Sequence, residues 1–284
     1  MINSLENTQK HIVNWIKTYA DNAGIKTLVV GLSGGVDSAL VALLCKETGI
    51  DTICVNMPCN SSGSAFERAS NFAKEQGLRL LKIDLTNAHK HIIDEYSNNK
   101  LYSAITEEAL GGLSSCLRAP TLSFLALTTK GIIVGTGNRS EDNLIRYFQK
   151  FGDGCVDMSP IADLFKSEVY ELFAYMADIS NNPAAKAIHD ATPTADLWGP
   201  DAGHEDESEL GMSYDEIEWG DRENMKNGII INDEDPVKHS AWLGYSLRQR
   251  EVIAKMHQLE KISRHKYNSN LPVCELRNID GLVR

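Results

Sequence analysis

The sequence predicts a doubly wound α/β fold, in which a mostly parallel sheet is flanked by helices. Short apolar runs rich in β-branched residues alternate with helical segments between residues 26 and 135, and this alternation is typical of such sheets. Each connection between two runs is long enough to hold a helix, so the strands should pair in parallel with right-handed crossovers. Sites in these sheets lie at the carboxyl ends of the strands, which directs attention to the loops after residues 32, 57, 83 and 135.

The first part of the chain supplies regular strand and helix patterns. Residues 4–22 have apolar side chains at helical spacing and predict an amphipathic helix. Residues 26–32 (KTLVVGL) predict a buried strand, and residues 39–45 (ALVALLC), apolar on every face, predict a buried helix. The next elements expected are a strand at 51–57, a helix at 65–76 and a strand at 78–83.

The later part of the chain is less regular. The pattern predicts a polar helix at 86–98, a helix at 113–130 in which Pro120 sits near the first turn or kinks it, and a short strand at 131–135. Further helices are expected at 163–178 and 236–262. Residues 199–211 (GPDAGHEDESELG) are too acidic to build core and predict a mobile loop. We expect one domain spanning residues 1–284.

Composition narrows the class of partner. The chain has 28 Lys and Arg against 39 Asp and Glu, a net charge of −11, which argues against a protein that grips nucleic acid phosphates but leaves small anions open. No apolar run approaches the length of a membrane span, and the N-terminus lacks the shape of a signal peptide. The six cysteines are scattered without zinc spacing. We therefore expect a cytoplasmic protein with reduced thiols.

The loop after the first strand carries the clearest chemical signal. Two glycines, Gly34 and Gly35, let the backbone turn and bring N–H groups close to a ligand, and the helix start adds its own free N–H donors. An aspartate in a phosphate cradle, here Asp37, implies a bridging Mg²⁺. The alternative is a tight strand-to-helix turn in which Asp37 only caps the helix. Neither a Walker A motif nor a GxGxxG motif is present.

The hexapeptide SGGVDS at 33–38, placed after a strand, resembles the pyrophosphate-binding loop of the N-type ATP pyrophosphatases. Those enzymes split ATP between its α- and β-phosphates and transfer AMP to a substrate oxygen. The motif alone is shared by GMP synthetases, asparagine synthetases, tRNA-modifying enzymes and NAD synthetases, so the choice among them depends on later segments.

Four later segments, taken in order, resemble NAD synthetases. They are GTGNRSEDNLIRYFQKFGDGCVDMSPIADLFK at 135–166, PTADLW at 193–198, EDESELGMSYDEI at 205–217, and His265-Lys266 followed by Pro272. The resemblance covers nearly the whole chain, and the chain has the size of the ammonia-dependent branch, with no room for a glutaminase domain. It implies amidation of deamido-NAD to NAD: ATP adenylates the nicotinate carboxylate, and ammonia then displaces AMP.

The resemblance also implies a set of site residues. Asp37, Lys166 and Thr194 would be catalytic, and Asp37 with Glu141 would hold Mg²⁺. ATP would contact Gly31, Leu32, Ser33, Gly34, Gly35, Val36, Asp37, Ser38, Thr136, Lys166 and Thr194. Deamido-NAD would contact Arg118, Lys150, Asp153, Asp157, His265 and Lys266. The family pairs as homodimers, with residues 113–130 as our candidate for part of the interface, and residues 199–211 would act as a lid.

Several positions depart from the family pattern. Cys116 takes the first position of a usual Arg-x-Arg pair, Asn56 stands where an arginine near the adenine is common, and Tyr267 stands where arginine is frequent. Pro120 is also unexpected. Fewer arginines would weaken contacts with dinucleotide phosphates unless other residues replace them, which leaves open a related carboxylate substrate or a differently arranged subunit interface.

Two other classes remain as alternatives. The first is a different adenylating amidotransferase or a tRNA-modifying ATP pyrophosphatase, although a tRNA enzyme should show a basic face or an RNA-binding domain. The second is a non-catalytic nucleotide-binding module that kept the fold. The presence of Glu141 and Lys166 beside Asp37 argues against it, since such a module need not keep metal ligands.

Overall fold

The fold is built around a four-stranded sheet, described here from a computed structural model that covers residues 2–59, 63–99, 105–194, 205–231, 235–266, 273–277 and 281. The strands are β1 (Thr27–Gly31), β2 (Asp51–Asn56), β3 (Arg79–Lys82) and β4 (Gly131–Val134). They run parallel in the order β3-β2-β1-β4, with Val30 opposite both Cys54 and Val134. The predicted parallel α/β sheet is confirmed. The chain leaves β1 toward β2 on one side and reaches β4 on the other, so a crevice opens at the carboxyl end of β1.

The helices of the first part follow the sequence pattern closely. They are α1 (Leu5–Asn22), α2 (Val36–Glu47), α3 (Gly63–Glu75) and α4 (Thr86–Asn98). Helix α2 is buried from Ser38 to Cys45 because residues 39–45 are apolar on every face, and it packs in the main core with α1, the sheet and a later helix. Its N-terminus is therefore held rigidly at the end of β1.

Helix α5 (Glu107–Thr129) begins six residues before its predicted start. Thr106 caps it by accepting a hydrogen bond from the N–H of Ala109, and Pro120 lies inside the helix rather than in its first turn. This helix is long and apolar enough to cross a membrane by length and composition alone, but one such helix is weak evidence. One face, including Ala126, packs in the core cluster beside the sheet, which accounts for apolar character on that face.

The chain after β4 positions the remaining site residues. Three helices follow in the first stretch: α6 (Arg139–Asp142), α7 (Lys166–Met176) and α8 (Pro183–His189). Helix α7 packs on α2 through Val169, Leu172 and Phe173, which are all fully buried in the main core. Its first residue, Lys166, therefore lies beside the start of α2.

The C-terminal part of the chain forms three further helices, α9 (Asp206–Leu210), α10 (Tyr214–Asn227) and α11 (Leu247–Ser263). These helices share a core with Ile229 and Ile230. The predicted helix over 236–262 is wrong in its first part, where two short 3₁₀ turns precede a helix that starts after Ser246. Within 199–211, residues 206–210 are helical and Leu210 is buried, so that part does contribute core. Residues 199–204 lie outside the described residues, and the mobility of the loop stays a prediction.

Candidate active site

The loop between β1 and α2 is held in a shape that only glycine permits at residue 34. Gly34 has a φ of +97°, and a Cβ there would lie 2.4 Å from the carbonyl oxygen of Ala65. The loop therefore packs directly against the first turn of α3. Its hydroxyls bond within the loop: Ser33 Oγ lies 3.0 Å from Ser38 Oγ, and Gly35 N–H donates to Ser33 Oγ at 3.2 Å.

Helix α2 starts in this loop without a capping side chain, since its N-cap is Gly35. The first N–H groups of a helix have no partner within the helix and carry the positive end of its dipole. Val36, Asp37 and Ser38 line the adjoining cavity. Free N–H donors at the start of a helix suit an anion, and the binding of a phosphate at the start of α2 stays a prediction.

Lys166 joins two carboxylates that come from distant parts of the chain. Its Nζ donates to Asp37 Oδ2 at 2.7 Å and to Glu141 Oε1 at 2.9 Å, and only 5% of its side chain is exposed. Burial by itself would lower the pKa of Lys166, but the two carboxylates outweigh burial and raise that pKa well above its ordinary value. The lysine is therefore a permanent cation between Asp37 and Glu141.

The two carboxylates respond differently to burial. Desolvation raises the pKa of Asp37 in spite of the attraction of Lys166. For Glu141, burial also acts upward, but Lys166 and the hydroxyl of Tyr214 together lower the pKa. Glu141 is thus the more firmly ionised of the pair.

Asn138 and Tyr214 fix these carboxylates, and the sequence pattern singles out neither. Buried Asn138 caps α6 by accepting the N–H of Glu141 at 3.1 Å, and its Nδ2 donates to Asp37 Oδ1 at 2.8 Å. The hydroxyl of Tyr214 donates to Glu141 Oε1 at 2.6 Å and lies 3.1 Å from Oδ2 of Asp206. The asparagine stands one turn before Glu141 in GTGNRSE, so a search for helix caps in that motif would have found it.

Buried polar groups hold the start of α7. The N–H of Lys166 donates to Ser140 Oγ at 2.9 Å, while the carboxylate of Glu218 accepts both the N–H and the hydroxyl of Ser167, at 2.9 and 2.7 Å. Glu218 is 2% exposed. A buried carboxylate at a helix N-terminus is favoured by the helix dipole. Helix α10 therefore fixes the position of the lysine through Glu218.

A cavity of about 520 Å³ opens over these groups at the carboxyl ends of β1, β2 and β4. This volume is in the range of small-molecule sites. Its lining combines apolar side chains, among them Val55, Met57, Leu122 and Ile133, with polar ones, among them Thr136, Glu141, Asp142, Asp153 and Lys166. Of the four loops singled out from the sequence, those after residues 32, 57 and 135 reach the cavity.

Most residues predicted to bind ATP meet at this cavity. It is lined by Gly31, Leu32, Ser33, Gly35, Val36, Asp37, Ser38, Thr136, Lys166 and Thr194, and by Glu141 of the predicted metal pair. Gly34 contributes by packing on α3 rather than as lining. Arg118 and Asp153, predicted for the dinucleotide, line the same cavity.

Four other residues are expected to contact the dinucleotide. They form hydrogen bonds within the protein and do not line this cavity. Lys150 Nζ donates to the carbonyl of His265 at 2.9 Å, and Lys266 Nζ donates to the carbonyl of Phe148 at 2.6 Å. The carboxylate of Asp157 accepts the N–H of Ile133 at 2.7 Å. These bonds hold loops in place, and roles in substrate binding stay predictions.

Asp153 sits in a tight turn against α5. It accepts the hydroxyl of Ser115 at 2.7 Å and the N–H of Gln149 at 2.9 Å. Gly152 allows this approach, because a Cβ there would collide with Ser115. Burial raises the pKa of Asp153, although these hydrogen bonds act in the opposite direction. The turn thus presents a carboxylate to the cavity at a fixed point.

The residues that depart from the family pattern lie in different parts of the structure. Asn56 is buried and its Nδ2 donates to the carbonyl of Leu32 at 2.8 Å, which ties β2 to the predicted phosphate loop, residues 32–35 between β1 and α2. Cys116 is half-buried on α5, while the Nε of Arg118 lies 3.4 Å from the carbonyl oxygen of Met57. All six cysteines are free thiols. Trp198, Tyr267 and Pro272 lie outside the described residues.

A glycine-rich loop at the switch point of a parallel sheet, beside two carboxylates joined by a lysine, defines a Rossmann-like α/β enzyme that binds nucleotides. The family model for NAD synthase matches residues 8–269, and the chain belongs to that family.

Named relatives agree with this membership. The NH(3)-dependent NAD(+) synthetase of Mesoplasma florum is 32% identical over 271 residues, covering 94% of this chain and 96% of that protein. The protein of the same name from Alkaliphilus oremlandii is 36% identical over 222 residues, covering 75% and 85%. Among solved structures, the NMN synthetase from Francisella tularensis superposes with a TM-score of 0.75 at 26% identity, covering 94% of this chain and 98% of that one.

Proposed function

We propose that this protein is an ammonia-dependent NAD synthetase, which converts deamido-NAD, ATP and ammonia into NAD, AMP and pyrophosphate. The observation that carries the proposal is the bridge from Lys166 to Asp37 and Glu141 at the mouth of the phosphate loop. The reaction brings a carboxylate to a polyphosphate, and such a step needs fixed charge and N–H donors at the point where negative charge develops.

Adenylation is the first step. An oxygen of the nicotinate carboxylate forms a bond to the α-phosphorus of ATP, and the bond from that phosphorus to the β-bridging oxygen breaks, so that its electron pair leaves with pyrophosphate. The N–H groups after Leu32 and the hydroxyls of Ser33 and Ser38 would hold the leaving pyrophosphate. Lys166 would balance the charge on the phosphates, and Thr136 and Thr194 would contact ATP from the facing loops.

The residues present fit a magnesium ion. Asp37 and Glu141 offer hard oxygen donors side by side, and Asp142 and Asp206 lie in the same cavity, so carboxylates outnumber the single lysine among them. Mg²⁺ usually takes one or two carboxylates together with substrate phosphates and water, and Asp37 and Glu141 would supply two carboxylates. When bound, the ion would neutralise phosphate charge as a Lewis acid.

Amide formation is the second step. Ammonia attacks the carbonyl carbon of the acyl-adenylate, its nitrogen loses one proton to solvent, and AMP leaves with the oxygen that came from the carboxylate. Arg118 and Asp153 line the cavity, and we place the nicotinate end of the substrate beside them. Lys150, Asp157, His265 and Lys266 would contribute through the loops that they hold. Acyl-adenylates hydrolyse easily, so closure of residues 199–211 would protect the intermediate.

We infer that two copies pair through α5. Phe124 and Leu127 are 74% and 79% exposed on its outer face, and exposed apolar side chains of this size mark interaction surfaces when they lie together. A second copy would cover them and shield the dinucleotide site nearby. We expect the protein in the cytoplasm, where its thiols stay reduced.

A second candidate substrate is the mononucleotide, whose amidation would give NMN. The similarity to a solved NMN synthetase, which is nearly complete over both chains, favours it. The replacement of expected arginines at Asn56 and Cys116 points the same way, since a mononucleotide has fewer phosphates to hold.

The two candidates separate in one competition assay. Purified protein receives ATP, Mg²⁺ and ammonium with equal amounts of deamido-NAD and nicotinic acid mononucleotide, and the two amides are separated and counted. We expect NAD to form faster, with one AMP for each amide. Predominant NMN would replace the proposed substrate with the second candidate. Absence of both amides would remove the family reaction from this chain.

A further inference from the structure

We propose that Arg68 binds the pyrophosphate end of ATP and stabilises the departing pyrophosphate, a role that rests on the proposed adenylation reaction. Its guanidinium lies at the phosphate loop, where its Nε donates to the carbonyl oxygen of Gly34 at 3.3 Å, and the residue lines the cavity.

The position of Arg68 follows from the packing of the loop on α3. Gly34 meets this 13-residue helix at the carbonyl of Ala65 and near the N–H of Ala69, since both lie within 3.4 Å of a Cβ built at residue 34. Residues three and four apart share one face of a helix. Arg68 therefore extends from the face of α3 that touches the loop, and glycine at 34 is what allows this approach.

Most N–H donors of the Arg68 guanidinium have no partner among the described residues. An arginine carries five N–H donors in a planar fork that matches phosphate oxygens. Only the Nε of Arg68 has a partner within the part of the chain that the structure describes, and that bond is long. No carboxylate in the same part pairs with it, whereas Lys166 is already shared between Asp37 and Glu141. Arg68 can therefore give its full charge to a ligand.

The surroundings favour an anion at this place. Ser64, Ala65 and Phe66, in the first turns of α3, line the cavity beside the residues that begin α2. Two helix N-termini thus face one volume, each with the positive end of its dipole. During adenylation the negative charge on the leaving group grows, so a cation at its far end contributes more in the transition state than in the bound substrate.

Binding of product fragments tests this role without turnover. Arg68→Gln and Arg68→Lys are compared with the native protein for their affinity for Mg²⁺-pyrophosphate and, separately, for AMP, by calorimetry. We expect Arg68→Gln to bind pyrophosphate about 10- to 100-fold more weakly, as is usual for hydrogen bonds to a charged group, with AMP affinity unchanged. Arg68→Lys should fall between the two because it keeps the charge and loses the fork.

A matched control is Arg79→Gln, which removes an exposed arginine on β3 that pairs only with Asp51 among the described residues. It should leave both affinities unchanged. Equal losses of pyrophosphate and AMP affinity in Arg68→Gln would show a structural role and overturn the proposal, as would an unchanged pyrophosphate affinity. A native protein that binds pyrophosphate but forms no NAD would remove the proposed function and leave the role of Arg68 in binding intact. Native protein that fails to bind pyrophosphate would overturn the role of Arg68, whereas the proposed function is decided separately by whether NAD forms.

Discussion

The Nζ of Lys166 lies 2.7 Å from Oδ2 of Asp37, although the two residues are 129 positions apart in the chain. Asp37 belongs to the first turn of α2 and Lys166 begins α7, and these two helices pack against each other through the main core. The packing of apolar side chains therefore sets the distance between two charged groups of the site.

Replacing Lys166 with methionine should cost both activity and stability. The variant leaves Asp37 and Glu141, whose side chains are only 18% and 17% exposed, without their shared cation, and removing one partner of a buried ion pair typically costs about 3–5 kcal/mol. We expect a loss of this order in the free energy of unfolding at neutral pH, measured by urea denaturation, with little turnover remaining. Lys17→Met, which breaks an exposed pair with Asp21, should change stability by less than about 1 kcal/mol.

Replacing Asp37 with asparagine should separate activity from stability. Lys166 keeps Glu141 as its partner, and burial already disfavours the charge on Asp37 by raising its pKa, so we expect the melting temperature to stay near that of the native protein. Formation of the acyl-adenylate should fall by at least about 100-fold, because one of the two proposed metal ligands is lost. Release of pyrophosphate in the presence of deamido-NAD measures this, and native rates would refute the metal role of Asp37.

Substitution of two glycines by alanine should distinguish backbone strain from loop packing. Gly24 and Gly34 both have positive φ, but a Cβ at residue 24 meets nothing within 4 Å, whereas one at residue 34 meets the carbonyl of Ala65. Gly24→Ala should cost about 1–2 kcal/mol from strain alone. Gly34→Ala should cost more and should also weaken ATP binding, because the loop must move from α3. Equal effects on ATP affinity in the two variants would argue against the loop as the ATP site.

The stability of the unliganded protein should fall as pH rises through the titration of Asp206. Burial, followed by the nearby charge of Glu141, raises the pKa of Asp206 to about 6. An acid whose pKa is higher in the folded state than in the unfolded state stabilises the fold when protonated. Its contribution is complete below the ordinary pKa of about 4 and is lost by about pH 6.

Between those pH values the free energy of unfolding of the native protein should fall by on the order of 2 kcal/mol, and Asp206→Asn should remove this fall. The introduced amide stays neutral at every pH and could still donate to the oxygen of Tyr214. Urea denaturation across this pH range, without nucleotide or divalent ion, measures the effect. Asp215→Asn, at an exposed position beside Tyr214, serves as the control. If the free energy of unfolding changed with pH in the same way in Asp206→Asn and in the native protein, the raised pKa of Asp206 would be contradicted.

The sheet and the phosphate loop could be predicted because their signals are local. The strand 26–32, the turn at Gly34 and the helix 39–45 each show in a short stretch of residues, and the structure has β1, the turn and α2 in that order. The resemblance then brings Glu141 and Lys166 to the same site. Their contact depends on the packing of α7 on α2, which no local pattern reports.

Other features depend on contacts across the chain, and local patterns miss them for that reason. The sequence pattern treats Tyr214 as an ordinary packing residue, yet its hydroxyl reaches Glu141, 73 positions away. Arg68 lies on an ordinary amphipathic helix, and only the approach of Gly34 to Ala65 brings it to the loop. Because its neighbours are acidic, Leu210 is predicted to lie in a loop outside the core. In the structure Leu210 is buried in the core that it shares with α10 and α11.

The most direct test of the central claim follows one oxygen atom. Deamido-NAD labelled with ¹⁸O in the nicotinate carboxylate is converted with ATP, Mg²⁺ and ammonium, and the AMP is analysed by mass spectrometry. If the carboxylate is adenylated, one labelled oxygen passes to the phosphate of AMP and pyrophosphate stays unlabelled. Production of ADP and phosphate, or of AMP that carries no label, would contradict adenylation of the carboxylate at this site.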